Sequence, residues 1–221
     1  MNLLVLGLAI ATVGVAGCSS PTAGSPAAVQ NEVTSSESPL LTSSPAKCDP
    51  GMEYSCGAVG PGGGIIFYAS SQAFALSNGY SAACSTNCHY LEAQTSDLPG
   101  KYQWCVGTGL NHAAAPVTGN YIGTGYSNTQ TIANAGYCSS GAANAALASV
   151  FGGYTDWFLP STYELQSLYV ERAKVGGMSA VVYWSSTQSG STNAFYENFI
   201  SGFQDAENKG GMLAVRAVRA F

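Results

Sequence analysis

The chain has few charged residues. Of its 221 residues, 7 are Lys or Arg and 12 are Asp or Glu, which gives a formal net charge of −5. The basic residues form no cluster, and binding to a phosphate backbone needs concentrated positive charge, so we expect no nucleic-acid partner. The same shortage disfavours sulfated polysaccharides. Uncharged Gly, Ser, Asn and Tyr replace the missing charges, as is common in proteins outside the cell.

The sequence also has little that an enzyme could use. Its two histidines, His89 and His112, have no nucleophile or carboxylate at a recognisable spacing, and no serine lies in a Gly-x-Ser-x-Gly motif. Cys84, Cys88 and His89 resemble a zinc-binding fragment, but a zinc site needs about four converging ligands. We therefore expect no catalytic residue, no metal and no cofactor. A cysteine- or metal-dependent enzyme is the less favoured alternative.

The N-terminal apolar run, residues 3–15, is too short to span a bilayer as a helix. It ends in the residues VAGC at 15–18, and small residues before a cysteine are typical of a bacterial lipoprotein signal. We predict a signal peptide over 1–17 and acylation of Cys18. The lipid would anchor the protein on the cell surface or on the periplasmic face of a membrane. The two residues before the run carry no Lys or Arg, so a non-lipidated signal or a hydrophobic N-terminal helix stays open as an alternative.

The next segment, residues 18–46, is rich in Ser, Pro, Thr and Ala. Glu32 and Glu37 are its only charges, and it has no aromatic residue. Such a composition buries too little apolar surface to offset the entropy of ordering, so we predict a flexible linker. The remaining residues, 47–221, have the length of one globular domain.

Six cysteines follow Cys18, and an even number in an exported chain indicates three disulfides. Sequence alone does not determine the pairing. Proximity favours Cys48–Cys56 and Cys84–Cys88, which leaves Cys105–Cys138. That last bond closes the longest loop and should stabilise the domain most, by about 3–4 kcal/mol.

The pattern of apolar and turn residues predicts a mixed α+β domain. A capping box formed by Ser161 and Glu164 should begin a helix that runs to about residue 174. The alanine-rich stretch 142–151 predicts another helix, and 107–137 reads as a long irregular loop. Strands are predicted at 65–69, 90–93, 102–105, 181–186, 194–200, 202–207 and 212–219.

Two arginines in the last predicted strand, Arg216 and Arg219, should face opposite sides of it. A buried arginine needs an acidic partner, and Glu197 or Glu164 could supply one. The three tryptophans, Trp104, Trp157 and Trp184, are expected in the core rather than on a ligand-binding surface.

Candidate ligand contacts are tyrosines and asparagines, because aromatic faces stack on sugars and amides bond to hydroxyl groups. We nominate Tyr121, Tyr126 and Asn128 in the long loop, and Tyr196 and Asn198 on one face of a predicted strand. The alternative for each tyrosine is ordinary packing. For the Asn and Thr side chains of the loop it is satisfaction of nearby backbone groups.

Six motifs occur in the order found in a known bacterial family: GGGIIFY at 62–68, YLEA at 90–93, IGTG at 122–125 with NT at 128–129, DWFLPS at 156–161 with EL at 164–165, YWSST at 183–187, and VRAVRAF at 215–221. With these motifs, residues 58–221 resemble the C-terminal domain of the Legionella collagen-like adhesin. The resemblance implies a C-type-lectin-like domain with two helices and a small, curled antiparallel sheet, which the disulfides would stabilise.

The resemblance implies a recognition module that binds a glycan or another extracellular polymer. A structural or protein-binding envelope lipoprotein is the alternative. The family's best-described member binds sulfated glycosaminoglycans as a collagen-stalked trimer. This chain is acidic and has no Gly-x-y repeat, so neither property carries over. The calcium motifs of lectins are also missing, and no calcium site is implied.

Overall fold

Two three-stranded antiparallel sheets and four helices make up the residues that the structure describes, 47–77, 84–107, 118–179 and 181–221. The structure is a computed structural model. The α+β class expected from the sequence is confirmed. Within these residues the helices number four rather than two, and the strands form two sheets rather than one.

The first sheet contains β1 (Ile65–Phe74), β2 (Cys88–Ala93) and β6 (Val218–Ala220), in the order β1-β2-β6. β1 begins with the β-branched and aromatic residues expected of a buried strand. The glycine-rich turn before it folds around the buried carboxylate of Glu92 on β2. The backbone N–H groups of Gly62 and Gly64 each donate to that carboxylate, at 3.0 Å.

The second sheet contains β3 (Val182–Gln188), β4 (Asn193–Asn198) and β5 (Gln204–Asn208), in that order. The predicted strand at 212–219 is regular only over β6, because the chain changes partners along its length. Leu213 pairs with Tyr102, Ala214 pairs with Tyr183 of β3, and β6 then pairs with β2. Of the predicted strand at 102–105, only Tyr102 forms a β-bridge, the one to Leu213. The C-terminal segment, residues 212–221, thus joins both sheets.

The helices are α1 (Gly125–Asn134), α2 (Ala142–Leu147), α3 (Thr162–Val170) and α4 (Arg172–Val175). The predicted capping box of α3 is confirmed, and α4 ends at Gly176. α2 ends four residues before the predicted limit of 151. α1 lies inside the predicted irregular loop, so the prediction was wrong there.

The three tryptophans are buried in the core, as predicted, with at most 1 % of each side chain exposed. They pack with the alanines of α2 and with the cysteines at 105 and 138. Each indole N–H finds a backbone carbonyl: Trp104 bonds to Ser185 and Trp184 to Tyr102, both at 2.8 Å, and Trp157 bonds to Phe151 at 3.1 Å.

Both arginines of the C-terminal segment are buried and paired, but not with the expected partners. Arg216 bonds to Asp97, and Arg219 bridges Glu92 at 2.8 Å and Asp156 at 2.6 Å. The expectation that Glu164 or Glu197 pairs with an arginine was wrong. Glu164, the glutamate of the capping box, accepts backbone N–H groups instead. Glu197 accepts from the side-chain amide of Gln204.

Three disulfides join Cys48 to Cys56, Cys84 to Cys88 and Cys105 to Cys138, which are the pairs that sequence proximity favours. Within the described ranges, no helix combines the length and the apolar character needed to cross a bilayer. The predicted signal peptide, Cys18, the linker and His112 lie outside the described residues.

Candidate functional site

The most exposed of the nominated residues is Tyr121, which is 64 % exposed. It lies in residues 118–124, here called the Tyr121 loop, directly before α1. Its ring meets Tyr163 of α3 edge-on, with ring centroids 5.4 Å apart. Tyr121 therefore stands at the surface with one side supported by a second aromatic ring.

The N-terminus of α3 holds the Tyr121 loop through several hydrogen bonds. The backbone N–H of Tyr163 donates to the carbonyl of Asn120 at 3.0 Å, and the hydroxyl of Ser161 donates to the carbonyl of Tyr121 at 2.8 Å. The buried carboxylate of Glu164 accepts the N–H of Gly123 at 2.8 Å. The same carboxylate accepts the N–H of Ser161 in the capping box, at 2.7 Å. One side chain thus begins the helix and fixes the loop.

Two glycines of the IGTG motif are required by this arrangement. Gly123 has a φ of 89°, and a Cβ atom there would lie 2.1 Å from the carbonyl oxygen of Ala75. A Cβ atom at Gly125 would lie 2.1 Å from a carboxylate oxygen of Glu164. The motif therefore reflects two close approaches: that of the Tyr121 loop to Ala75, just after β1, and that of the first residue of α1 to Glu164.

Asn128 is buried, so the prediction that it contacts a ligand was wrong. It is 3 % exposed, and its amide is bonded at both ends to the backbone of Gly119, at 2.7 and 2.9 Å. It also donates to the hydroxyl of Ser186 at 3.1 Å. Asn128 therefore positions the Tyr121 loop from α1. This agrees with the alternative prediction, in which the Asn and Thr side chains of this region satisfy nearby backbone groups.

Tyr126 is half-buried and has a packing role. Its ring meets Phe158 edge-on, with centroids 5.7 Å apart, and its hydroxyl accepts from Gln130. These contacts match the packing alternative for this tyrosine.

Tyr196 and Asn198 lie on β4, in the second sheet. Tyr196 is half-buried and pairs with Trp184 on one side and Asp205 on the other. The side-chain oxygen of Asn198 accepts the N–H groups of Ile200 and Ser201, so this residue holds the turn between β4 and β5. Among the described residues, no hydrogen bond or ring contact joins either of them directly to the Tyr121 loop.

Burial raises the pKa of two of the buried glutamates, Glu164 and Glu197. Burial raises the pKa of Glu164 to about 7, although the N–H groups of Ser161, Gly123 and Gly125 favour the charged form. Burial also raises the pKa of Glu197 to about 8, with Gln204 as its hydrogen-bond donor. The capping box identified Glu164 from sequence, but its hold on the Tyr121 loop was missed, because the glycine donors lie about forty residues away.

The chemistry of the site is that of a contact surface. Glu164 is sealed from solvent, so it is not placed to exchange protons with a bound substrate. Cys84 and Cys88 are bonded to each other and are not available as zinc ligands. A ring nitrogen of His89 lies 2.7 Å from the carbonyl oxygen of Ser70. The Tyr121 loop offers a supported aromatic face, and no acid–base pair lies beside it among the residues that the structure describes.

Among solved structures, the chain is similar to a fimbrial protein from Bacteroides ovatus ATCC 8483. The TM-score is 0.44 and the sequence identity is 15 %; the match covers 72 % of this chain and 44 % of the other, so this chain spans less than half of that protein's length. No match was found among curated proteins.

The model of the Lcl C-terminal domain, a C-type-lectin-like family, matches residues 93–219. The match includes the Tyr121 loop, α3, the buried tryptophans and both buried arginines. It covers more than half of the chain, and it agrees with the order of motifs and with the α+β fold. The chain belongs to the Lcl C-terminal domain family.

Proposed function

We propose that this protein is a surface-tethered recognition module that binds a glycan or another extracellular polymer through the Tyr121 loop, without performing chemistry on it. The observation that carries the proposal is the exposed ring of Tyr121 on a loop that buried side chains hold in place. Membership of an adhesin-like family supports it. The three disulfides support a location outside the cytoplasm.

A tyrosine on a fixed loop suits binding to a polymer. Its ring offers a broad contact area with few rotatable bonds, so little conformational entropy is lost on binding. The bonds of Glu164 and Asn128 order the loop before the ligand arrives, which reduces the cost of association further. One such contact is weak by itself, but a polymer presents many equivalent units to many tethered copies.

The ligand should be neutral or only weakly charged. The chain has a net charge of −5, and both arginines of its C-terminal segment are buried in ion pairs. A strongly sulfated polymer would therefore meet repulsion rather than attraction. Neutral polysaccharides are the expected class.

The tether in this proposal is a lipid on Cys18 after removal of residues 1–17, followed by the linker of residues 18–46 and the domain of residues 47–221. Mass spectrometry of the mature protein should find an N-terminal cysteine carrying acyl chains, with the other six cysteines in disulfides. An intact chain from Met1 with a free thiol at Cys18 would exclude the tether.

A second candidate function is binding to another envelope protein. The turn between β4 and β5 exposes two large apolar side chains, Ile200 at 68 % and Phe203 at 60 %. Exposed apolar side chains close together favour protein contacts. This surface is separate from Tyr121 in the chain, so single substitutions distinguish the two candidates.

The test is a polysaccharide array probed with the full chain and three variants. Tyr121→Ala should weaken the best signal at least tenfold, because the stacking surface is lost. Tyr121→Phe should retain most of the binding, since the ring remains. Phe203→Ala is the matched control, because it removes an aromatic ring of similar exposure from the other surface.

The results separate the two functions. Binding that depends on Tyr121 and not on Phe203 supports polymer recognition. A wild-type chain that binds no polysaccharide, or one that loses binding only with Phe203→Ala, contradicts the proposed site and favours the protein-binding alternative.

A further inference from the structure

A cavity of about 470 Å³ lies beside the Cys105–Cys138 disulfide, and none of its lining residues belongs to the Tyr121 loop. Its exposed lining area is mostly apolar. The lining includes Tyr102, Val106, Ala145 and Met212, together with the polar residues Gln103, Ser140 and Asn144. This volume is within the range of small-molecule sites, roughly 300–1,000 Å³. The cavity therefore has the size and lining of a ligand site that the proposed polymer binding does not use.

The cavity walls are fixed by covalent and backbone bonds. Val106 donates its N–H to the carbonyl of Ser140 at 2.8 Å, and Ser139 donates back to Val106 at 2.8 Å. The adjoining disulfide locks these two segments together. Ala142, at the start of α2, donates to the carbonyl of Gln103 at 2.9 Å. The cavity is thus preformed, and a ligand would not have to order its walls.

The charge of the lining is positive, in a chain that is negative overall. Lys101 is the one charged residue among those that line the cavity, and it makes no ion pair within the described residues. No carboxylate lines the cavity in that part of the chain. An anionic group at the rim would therefore meet an available cation without a competing acid.

We propose that this cavity binds a small organic anion with an apolar body, such as an aromatic or branched carboxylate. The apolar walls would bury the body, and Lys101 would pair with the anion at the mouth. A sugar would place most of its hydroxyl groups against the apolar part of the lining, where they lose water, and Gln103, Ser140 and Asn144 are the polar side chains that could pair with the others. Met212, which is 53 % exposed, is a flexible side chain that can adapt to the ligand.

The probe is naphthalene-2-carboxylate, titrated into the full chain by calorimetry, with 2-naphthalenemethanol as its uncharged counterpart. The carboxylate should bind about threefold to fivefold more tightly than the alcohol, since an exposed lysine contributes modestly. Lys101→Gln should remove this preference and leave the affinity for the alcohol unchanged.

Two variants fill the cavity in different ways. Ala145→Trp adds a large ring to its lining, and Met212→Trp narrows it from an exposed position that tolerates a larger side chain. Each should weaken binding of both probes at least tenfold. Val150→Trp is the matched control, because Val150 is 68 % exposed and does not line the cavity. It also corrects for any binding of the probes to the lipid or to the N-terminal apolar segment.

Equal affinity of the wild-type chain for acid and alcohol would overturn the assignment to an anion. Absence of binding at millimolar probe would overturn the site, as would undiminished binding by Met212→Trp. If Ala145→Trp lowers the melting temperature, the result with Met212→Trp decides. None of these outcomes depends on Tyr121, so the polysaccharide array tests the proposed function separately.

Discussion

At the scale of single residues, Glu164 links the fold to the candidate site. Its carboxylate accepts the N–H groups of Ser161 before α3, of Gly123 in the Tyr121 loop and of Gly125 at the start of α1, and the side chain is completely buried. Buried acceptors with several donors are costly to replace, because each donor left without a partner loses its hydrogen bond to water as well. The position of Tyr121 therefore depends on a residue that no ligand touches.

Glu164→Gln should loosen the Tyr121 loop without changing the size of the side chain. The amide can accept at only one end, so at least one buried N–H loses its acceptor. At pH 8, where Glu164 is charged in the fold, we expect the free energy of unfolding to fall by about 1–3 kcal/mol and the affinity for the array's best polysaccharide to fall severalfold. Urea unfolding and a binding titration measure the two effects.

The control for this variant is Glu171→Gln. Glu171 pairs at 2.6 Å with Lys174, whose side chain is 54 % exposed, so its loss should change stability little. Equal effects of the two substitutions would contradict the role assigned to Glu164.

The sequence predicted features that depend on local chemistry. The capping box involves residues three positions apart, and the tryptophans are large apolar side chains that favour the core under almost any fold. α1 was missed because its buried face is formed by Ser127, Asn128 and Thr129 together with Ile132, which gives no apolar periodicity. Polar side chains that satisfy distant backbone groups leave no local pattern to read.

At the scale of elements, the C-terminal segment holds the two sheets together. It pairs with β3 through Ala214 and with β2 through β6, and it carries both buried arginines. The partners of Arg219 lie 127 and 63 residues away in the sequence. Such pairs arise from tertiary packing, which is why the sequence suggested the wrong glutamates.

Arg219→Met should destabilise the domain strongly. Methionine fills much of the space but leaves the buried carboxylates of Glu92 and Asp156 without their cation. We expect a loss of about 3–5 kcal/mol, the usual cost of breaking a buried pair from one side. Lys174→Met is the control at an exposed ion pair. A loss under about 1 kcal/mol for Arg219→Met would show that these charges do not hold β2 and the segment before α3 to the C-terminus.

The Cys105–Cys138 disulfide should contribute more stability than the other two. It closes a loop with a sequence separation of 33, against 4 for Cys84–Cys88. In the chain-entropy account, removing it by paired alanine substitutions should cost about 3–4 kcal/mol. Thermal unfolding of this double variant and of the matching Cys84/Cys88 double variant gives the comparison. A larger loss for the shorter loop would contradict the predicted order.

At the scale of the whole molecule, stability should fall as the pH rises from 5 to 8. The unfolded chain releases the protons of Glu164 and Glu197 near the ordinary pKa of 4.5, whereas burial raises the pKa of these groups to about 7 and about 8 in the fold. Between these values the folded state binds more protons than the unfolded state, so the free energy of unfolding decreases with pH.

Lys209 should reverse this trend above pH 8. Burial lowers its pKa from 10.5 to about 8, so above pH 8 the unfolded chain binds the extra proton and stability rises again. Urea unfolding at intervals from pH 5 to pH 9 should therefore show a minimum near pH 8. Glu197→Gln should flatten the descending part. Stability that increases steadily from pH 5 to pH 8 would contradict the assignment of buried, protonated glutamates.

The most direct test of the central claim is hydroxyl-radical footprinting of the full chain, with and without the polysaccharide that the array selects. Tyr121, Phe203 and Met212 are all exposed and readily oxidised. They report on the Tyr121 loop, on the turn between β4 and β5, and on the lining of the cavity, respectively. We predict that the polymer protects Tyr121 from oxidation and leaves Phe203 and Met212 unchanged. Protection of Phe203 or Met212 with no change at Tyr121 would contradict the account.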